Sequence, residues 1–246
     1  MKLYSKVALI AVAACLQATA ANAKGDEAKG FYGGLNVGVA AVNDVGVTYY
    51  DEGGTFGGTG AQDTFSGAFG TKSAATFGGV LGYDFGMVRA DLELSYAKNS
   101  VNSFTLGSVN GAPITLSASD RAELCDYLET SCAGSGNTIA IDGGHLRQLN
   151  GLANVWFDLP VGGGFVPYAG GGLGVAGLEV DGEGKSRFAW QLGAGAALHV
   201  SRALAVTADY RHRQASSTNV EFDDVSGLRI SKLKTDSFTV GRRAYF

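Results

Sequence analysis

The most constraining feature of the sequence is a run of long alternating segments between Phe165 and Arg213. It reads FVPYAGGGLGVAG, a short polar gap, RFAWQLGAGAALHV, the pair Ser201-Arg202, then ALAVTADYRHR. The alternation has period two, the period of a strand and not of a helix. In the middle segment Phe188, Trp190, Leu192, Ala194, Ala196, Leu198 and Val200 share one face. Arg187, Gln191, Gly193, Gly195 and His199 share the other. A soluble sandwich also alternates, but its strands are usually shorter and its apolar face lies in a core. These segments are long enough to cross a bilayer, which takes about 9–11 tilted residues. An apolar outside with small or polar residues inside is the pattern of a transmembrane barrel.

Composition points the same way. The chain has 38 Gly and 3 Pro in 246 residues, and charged residues are 17%, low for a soluble domain. Glycine at this level, without collagen period and with tyrosines between, suits a crowded barrel interior. The net charge of -4 argues against a nucleic-acid partner, which wants a basic field. After the N-terminus no apolar run is long enough for a membrane helix. Membrane residence therefore requires a closed sheet, because every backbone group in lipid needs a partner.

The N-terminus reads as a targeting segment. Lys2 and Lys6 precede the apolar run Val7 to Cys15, and Ala21-Asn22-Ala23 is a small-residue cleavage site. Residues 1–23 are expected to leave as a signal peptide, cut between Ala23 and Lys24. Val12-Ala13-Ala14-Cys15 also resembles a lipoprotein processing box, but the apolar run before Cys15 is very short. Export implies an oxidising compartment.

The remaining strands are expected at Phe31–Ala41, Ala75–Phe85, Met87–Ala97, Leu146–Asp158 and Thr235–Phe246. The clearest is the third, with Val88, Ala90, Leu92, Leu94 and Tyr96 outward and Arg89, Asp91, Glu93 and Ser95 inward. Phe85-Gly86 and Leu159–Gly164 are short turns, and Val180–Ser186 is a short gap. Val42–Ser73 is a long Gly/Thr/Asp loop without period, and Gln214–Ser231 is a moderate one. Lys98–His145 is the longest gap, a length that is unusual and often functional. Inside it, Asp120 to Thr130 suggests a helix with Asp120 as N-cap and Glu123 three residues later. The expected fold is all-β, one antiparallel eight-stranded up-and-down barrel over residues 24–246, with no second domain after Phe246. Short turns then lie in the periplasm and long loops outside.

The elements FYGGLNVGV, PYAGGGLGVAG, FAWQLGAGAAL, ADYRHR and the closing GRRAYF resemble the OmpA/opacity-type eight-stranded outer-membrane barrel family. The resemblance covers the chain from about Phe31 to the end. It implies a place in the outer membrane, contact with its lipid and lipopolysaccharide, and an aromatic terminus, Phe246, read by the barrel-assembly machinery. Counting back by twos from Phe246 turns Arg242 toward lipid near the periplasmic rim, where an arginine can snorkel.

The inward charges are Asp84, Arg89, Asp91, Glu93, Asp158, Arg187, Asp209, Arg211, Arg213 and Arg243. Buried charges must be paired, and both signs are present, so an interior ion-pair network is expected rather than an ion path. No catalytic, cofactor or metal residue is assigned. His145, His199 and His212 fall at different places, whereas a lipid-modifying barrel enzyme needs a His–Ser pair in one rim layer. Cys125 and Cys132 in an exported loop are expected to form a disulfide. The function expected is a non-enzymatic surface protein, structural or adhesive toward host or matrix proteins; the alternatives are a small-solute pore and a lipid-modifying enzyme. Recognition is expected in Lys98–His145, through Leu124, Tyr127 and Leu128 on the pinned helical turn.

Overall fold

The computed structural model describes residues 29–52, 63–127, 132–141, 144–180 and 183–246. The expected targeting segment and the expected cut between Ala23 and Lys24 lie outside the described residues. In chain order the strands are β1 (Gly30–Val42), β2 (Val45–Asp51), β3 (Asp63–Thr71), β4 (Ala74–Asp84), β5 (Val88–Val109), β6 (Ala112–Pro113), β7 (Thr138–Ala140), β8 (His145–Asp158), β9 (Phe165–Val180), β10 (Glu183–Ser201), β11 (Leu204–Ala215), β12 (Thr218–Glu221), β13 (Ser226–Ile230) and β14 (Leu233–Tyr245). A helix, α1 (Ala118–Tyr127), lies between β6 and β7.

Eight strands close a ring in the order β1–β4–β5–β8–β9–β10–β11–β14, and β14 pairs back onto β1. Every pair is antiparallel. Closure gives each wall strand two neighbours and leaves no edge in lipid. Alternation decides which face is which. Leu35, Leu81, Leu92, Leu173 and Phe238 stand exposed outside, while Arg89, Asp91, Glu93, Gln191 and Arg211 are buried inside. Exposed Phe31, Tyr83, Phe85, Phe157 and Phe165 ring one end of this apolar band; Phe77, Tyr96, Phe188, Tyr210 and Phe238 ring the other. Paired aromatic girdles are the signature of a bilayer-spanning barrel.

The short turns gather at the end that carries both strand termini, Gly30 and Tyr245. Gly86 turns there with φ +109°, a conformation that a side chain would strain. Inside the wall, glycine makes room for rings. A Cβ at Gly195 would lie 2.9 Å from the Tyr168 ring, and one at Gly82 would lie 2.7 Å from that of Tyr32.

The long connections differ from the expected loops. Val42–Ser73 contains β2 and β3, and Gln214–Ser231 contains β12 and β13. β5 does not stop at Ala97 but continues to Val109 as one strand of 22 residues. Its outer half joins a second sheet in the order β12–β13–β2–β3–β5. The gap Val180–Ser186 is also mostly strand, since β9 and β10 meet at Val180↔Glu183. These segments hide from a periodicity reading because no lipid forces an apolar face on them.

α1 starts one residue after Ser117, and Ser117 replaces Asp120 as the cap. The Asp120 N–H donates to Ser117 Oγ at 3.2 Å, and the Ser117 N–H donates to Asp120 Oδ2 at 3.1 Å. This is a capping box with Asp120 at its third position. The Ser117 hydroxyl and amide hold the Asp120 carboxyl below the usual carboxylate range. Leu124 does not project to solvent as a free anchor. It packs with Leu106, Cys125 and Ile139, beside Phe65 and Phe104. Leu128 and Thr130 lie outside the described residues.

Cys125 and Cys132 are joined by a disulfide, with Cα atoms 5.3 Å apart. Closing so short a loop restricts the unfolded chain by about 2.5 kcal/mol in the entropy model. Reduction is expected to leave the boiling-dependent gel shift of the barrel unchanged and to speed proteolysis between Ser117 and Ile141. Peptide mapping with and without reductant checks this. Loss of the gel shift on reduction would make the loop part of the barrel's own stability.

Candidate functional site

The barrel interior is built in layers from residues that alternation turns inward. At the periplasmic end, Arg89 binds Asp158 in a fork, with Nε and Nη2 at 2.5 and 2.9 Å from the two carboxylate oxygens. Arg243 lies over the rings of Tyr32 and Tyr168, 5.2 and 5.4 Å from their centroids. Its Nη1 donates to the Tyr245 hydroxyl at 3.3 Å. Asp84 closes the β4–β5 turn, accepting the Gly86 N–H at 2.7 Å.

The middle layer centres on two carboxylates. Asp91 accepts from the Tyr32 hydroxyl at 2.7 Å, Asn154 Nδ2 at 2.7 Å and Trp156 Nε1 at 3.0 Å. Glu93 accepts from Arg211 at 2.5 Å, Arg213 at 3.1 Å, Gln191 at 2.6 Å and Asn154 at 3.1 Å. Asp209 accepts the Tyr168 hydroxyl at 2.6 Å, and Arg211 lies 3.6 Å from it. Among the described residues the lumen holds five buried carboxylates, Asp84, Asp91, Glu93, Asp158 and Asp209, and five buried guanidiniums, Arg89, Arg187, Arg211, Arg213 and Arg243. Trp156, with Arg211 5.4 Å above its ring, fills the middle. A cavity of about 20 Å³ remains between Asp91, Trp156, Asp209 and Arg211, room for one water.

The sequence reading did not single out the layer above. Val42, Leu146, Leu178, Ala189, Ala215 and Leu233 pack together at the outer end of the lumen. Their inward positions follow from the same alternation, yet an apolar residue inside a barrel carries no signal of its own. Arg187 sits at this level and donates to the Ser216 carbonyl at 3.3 Å.

The three histidines are apart. His145 opens β8 at the outer rim; His199 lies near the periplasmic end, its ring 5.6 Å from that of Tyr245. His212 points outward from β11, where Nδ1 lies 2.9 Å from Asp236 Oδ1. Arg242 is exposed on the outer wall, beside Leu35. Phe246 is 80% exposed, and its N–H donates to the Phe31 carbonyl at 3.0 Å.

A closed ring of eight strands, an apolar outer band between aromatic girdles and a polar interior define a transmembrane β-barrel. The chain belongs to the outer membrane protein beta-barrel domain family, whose model matches residues 7–246. No curated protein matches it in sequence. Among solved structures it is similar to Neisserial surface protein A, at 15% identity and TM-score 0.48, over 90% of this chain and 100% of that one. It is also similar to the outer membrane protein OprG from Pseudomonas aeruginosa, at 15% identity and TM-score 0.49, over 90% and 99%. A third is Ail, the attachment invasion locus protein of Yersinia pestis, crystallised with the heparin analogue sucrose octasulfate. It shares 14% identity at TM-score 0.36, over 87% of this chain and 99% of that one.

Proposed function

We propose that this chain is exported through the periplasm, assembled through its aromatic terminus, and works without catalysis as an anchor. Its barrel would hold an extracellular sheet that recognises a protein on host cells or matrix. The observation that carries the reading is the contrast between the two halves of β5. The inner half lines a lumen packed with side chains, and the outer half belongs to a sheet that the membrane does not need. Diffusion would need open space where Trp156, Tyr168 and the outer apolar layer stand. A His–Ser catalytic pair has no support in the scattered histidines.

The exposed tip of that sheet, rather than α1, has the composition of a recognition surface. Phe222 is 60% exposed beside Val225, and its ring lies 6.3 Å from that of Tyr49. On the other face Arg229 lies 4.5 Å from the Tyr50 ring centroid. Aromatic and arginine residues dominate binding hot spots.

The test compares binding to host cells and matrix proteins by the parent, by Phe222→Asp/Val225→Asp, and by a chain with Pro113–Ala140 replaced by a Gly/Asn turn. The tip variant is expected to lose binding and to keep the boiling-dependent gel shift. The replacement removes β7 and uncovers Leu106, so it is expected to bind more weakly rather than not at all. Full binding by the tip variant would return recognition to Lys98–His145. No binding by the parent to any surface would favour a purely structural role.

A further inference from the structure

The hairpin tip between β12 and β13 is charged as well as apolar. Glu221, Phe222, Asp223, Asp224 and Val225 are all exposed. Hydrogen bonds of the turn fix their places. Asp223 Oδ1 accepts the Val225 and Ser226 N–H groups at 2.9 and 2.6 Å, and Oδ2 accepts the Ser226 hydroxyl at 2.8 Å. The Glu52 N–H donates to the Val225 carbonyl at 2.8 Å, which ties the tip to the end of β2. A partner therefore meets Phe222 and Val225 on a backbone already ordered, which lowers the cost of binding. The turn engages Asp223, but no hydrogen bond or ion pair holds the Glu221 or Asp224 side chain among the described residues.

Charge outside the membrane is layered. Lys72, Lys98, Arg147, Lys185, Lys232 and Lys234 stand at the outer ends of the wall strands. Lys185 reaches furthest up, to the Asn219 carbonyl at 3.4 Å, and makes no ion pair with Glu221. Beyond this belt the only cations among the described residues are Arg121 and Arg229. Arg121 is turned onto the carbonyls of Cys132, Gly136 and Thr138. Arg229 lies over Tyr50, on the face away from Phe222. The Phe222 face also carries α1, because Tyr49 pairs with Phe65 across β2 and β3 and Phe65 belongs to the cluster under that helix. The helix exposes Asp120, Glu123 and Asp126.

We infer that the partner seated on this tip is a protein segment with an apolar side chain between lysines or arginines, which rests on the recognition reading and adds the partner's chemistry to it. Phe222 and Val225 supply the apolar contact, and Glu221, Asp223 and Asp224 set the charge around it. Fixed charge at the edge of a contact speeds encounter with the opposite sign and rejects the same sign. A sulfated polysaccharide would set its anions against this collar.

The test uses the full protein in uncharged detergent micelles, with empty micelles as baseline. The probe is a short fluorescent peptide of lysine, glycine and serine around a central Leu-Trp pair. A version with glutamate for lysine and a short heparin chain are the anionic probes. At low salt the parent is expected to bind the lysine peptide at least about tenfold more tightly than either anionic probe, and the gap is expected to shrink as salt rises. Glu221→Lys/Asp224→Lys is expected to reverse that order. Phe222→Ser/Val225→Ser is expected to weaken the lysine peptide about tenfold, the loss of a central contact, with its salt dependence unchanged. Serine is used because aspartate would itself attract lysine. All variants are expected to keep the boiling-dependent gel shift, since the tip lies outside the wall. No binding of the lysine peptide by the parent, equal binding of an anionic probe, or an order unchanged by the two lysines overturns the inference. Failure of the recognition reading is a different result: binding to host cells or matrix that the serine variant keeps in full. Binding that the serine variant loses and the lysine variant keeps leaves recognition at the tip and overturns the cationic partner alone.

Discussion

Glu93→Ala is expected to cost the barrel about 3–5 kcal/mol, the range for breaking a buried ion pair from one side. Glu93 is 4% exposed and neutralises Arg211 and Arg213 together. Without it Arg211 keeps only Asp209 at 3.6 Å, and Arg213 keeps Gln191 Oε1 at 3.1 Å. Arg213 would then have no carboxylate at ion-pair distance in a space closed to bulk water. The measurement is the urea midpoint of the folded, fast-migrating band in detergent micelles. Adding Arg213→Leu to the Glu93→Ala chain is expected to recover part of the loss, because it removes one of the stranded charges. An unchanged midpoint in the single variant would mean that water reaches Glu93 and that the lumen is open.

The second large effect is an absence of current. Pure protein in planar bilayers is expected to give no steady porin-size openings. A ring of eight strands has an interior just wide enough for its own side chains. Here three closures lie in series: the Arg89–Asp158 fork with Tyr32 and Tyr168, the Glu93 layer with Trp156, and the apolar layer of Leu146, Leu178 and Leu233. An ion crossing the last would shed its water against leucine. Replacing Leu146, Leu178 and Leu233 together with alanine is expected to leave the bilayer silent, since the charged layers still close the path. Steady openings from the parent would favour the diffusion pore over the anchor.

The barrel was legible because lipid imposes its rule on every wall residue. Val88 to Tyr96 alternate without a break, and the ring contains them as they were read. The inward charges could be listed from parity alone. Their partners could not, because Glu93 and Arg213 are 120 residues apart and which strands meet across a lumen depends on the stagger of the ring. Outside the membrane the rule lapses. Tyr49 and Tyr50 are both half-buried, one on each face of the second sheet, so the alternation that Val45 and Val47 begin breaks off within β2. The cap of α1 was misplaced by three residues because Ser117 and Asp120 are each good caps. Only the hydrogen bonds show which residue starts the helix.

The continuity of β5 has a mechanical consequence. The strand crosses the outer rim without a bulge against β8, paired from Val88↔Phe157 to Ser100↔His145, and then forms part of the extracellular sheet. Force applied to that sheet would run down one continuous strand into the wall. It meets the β5–β8 rungs side-on, so they resist together in shear instead of opening one at a time. A tether made this way has no chain reversal at the membrane surface; its pairing with β3 slips by one residue between Val101 and Ser103, just above the rim, which is where it would bend first.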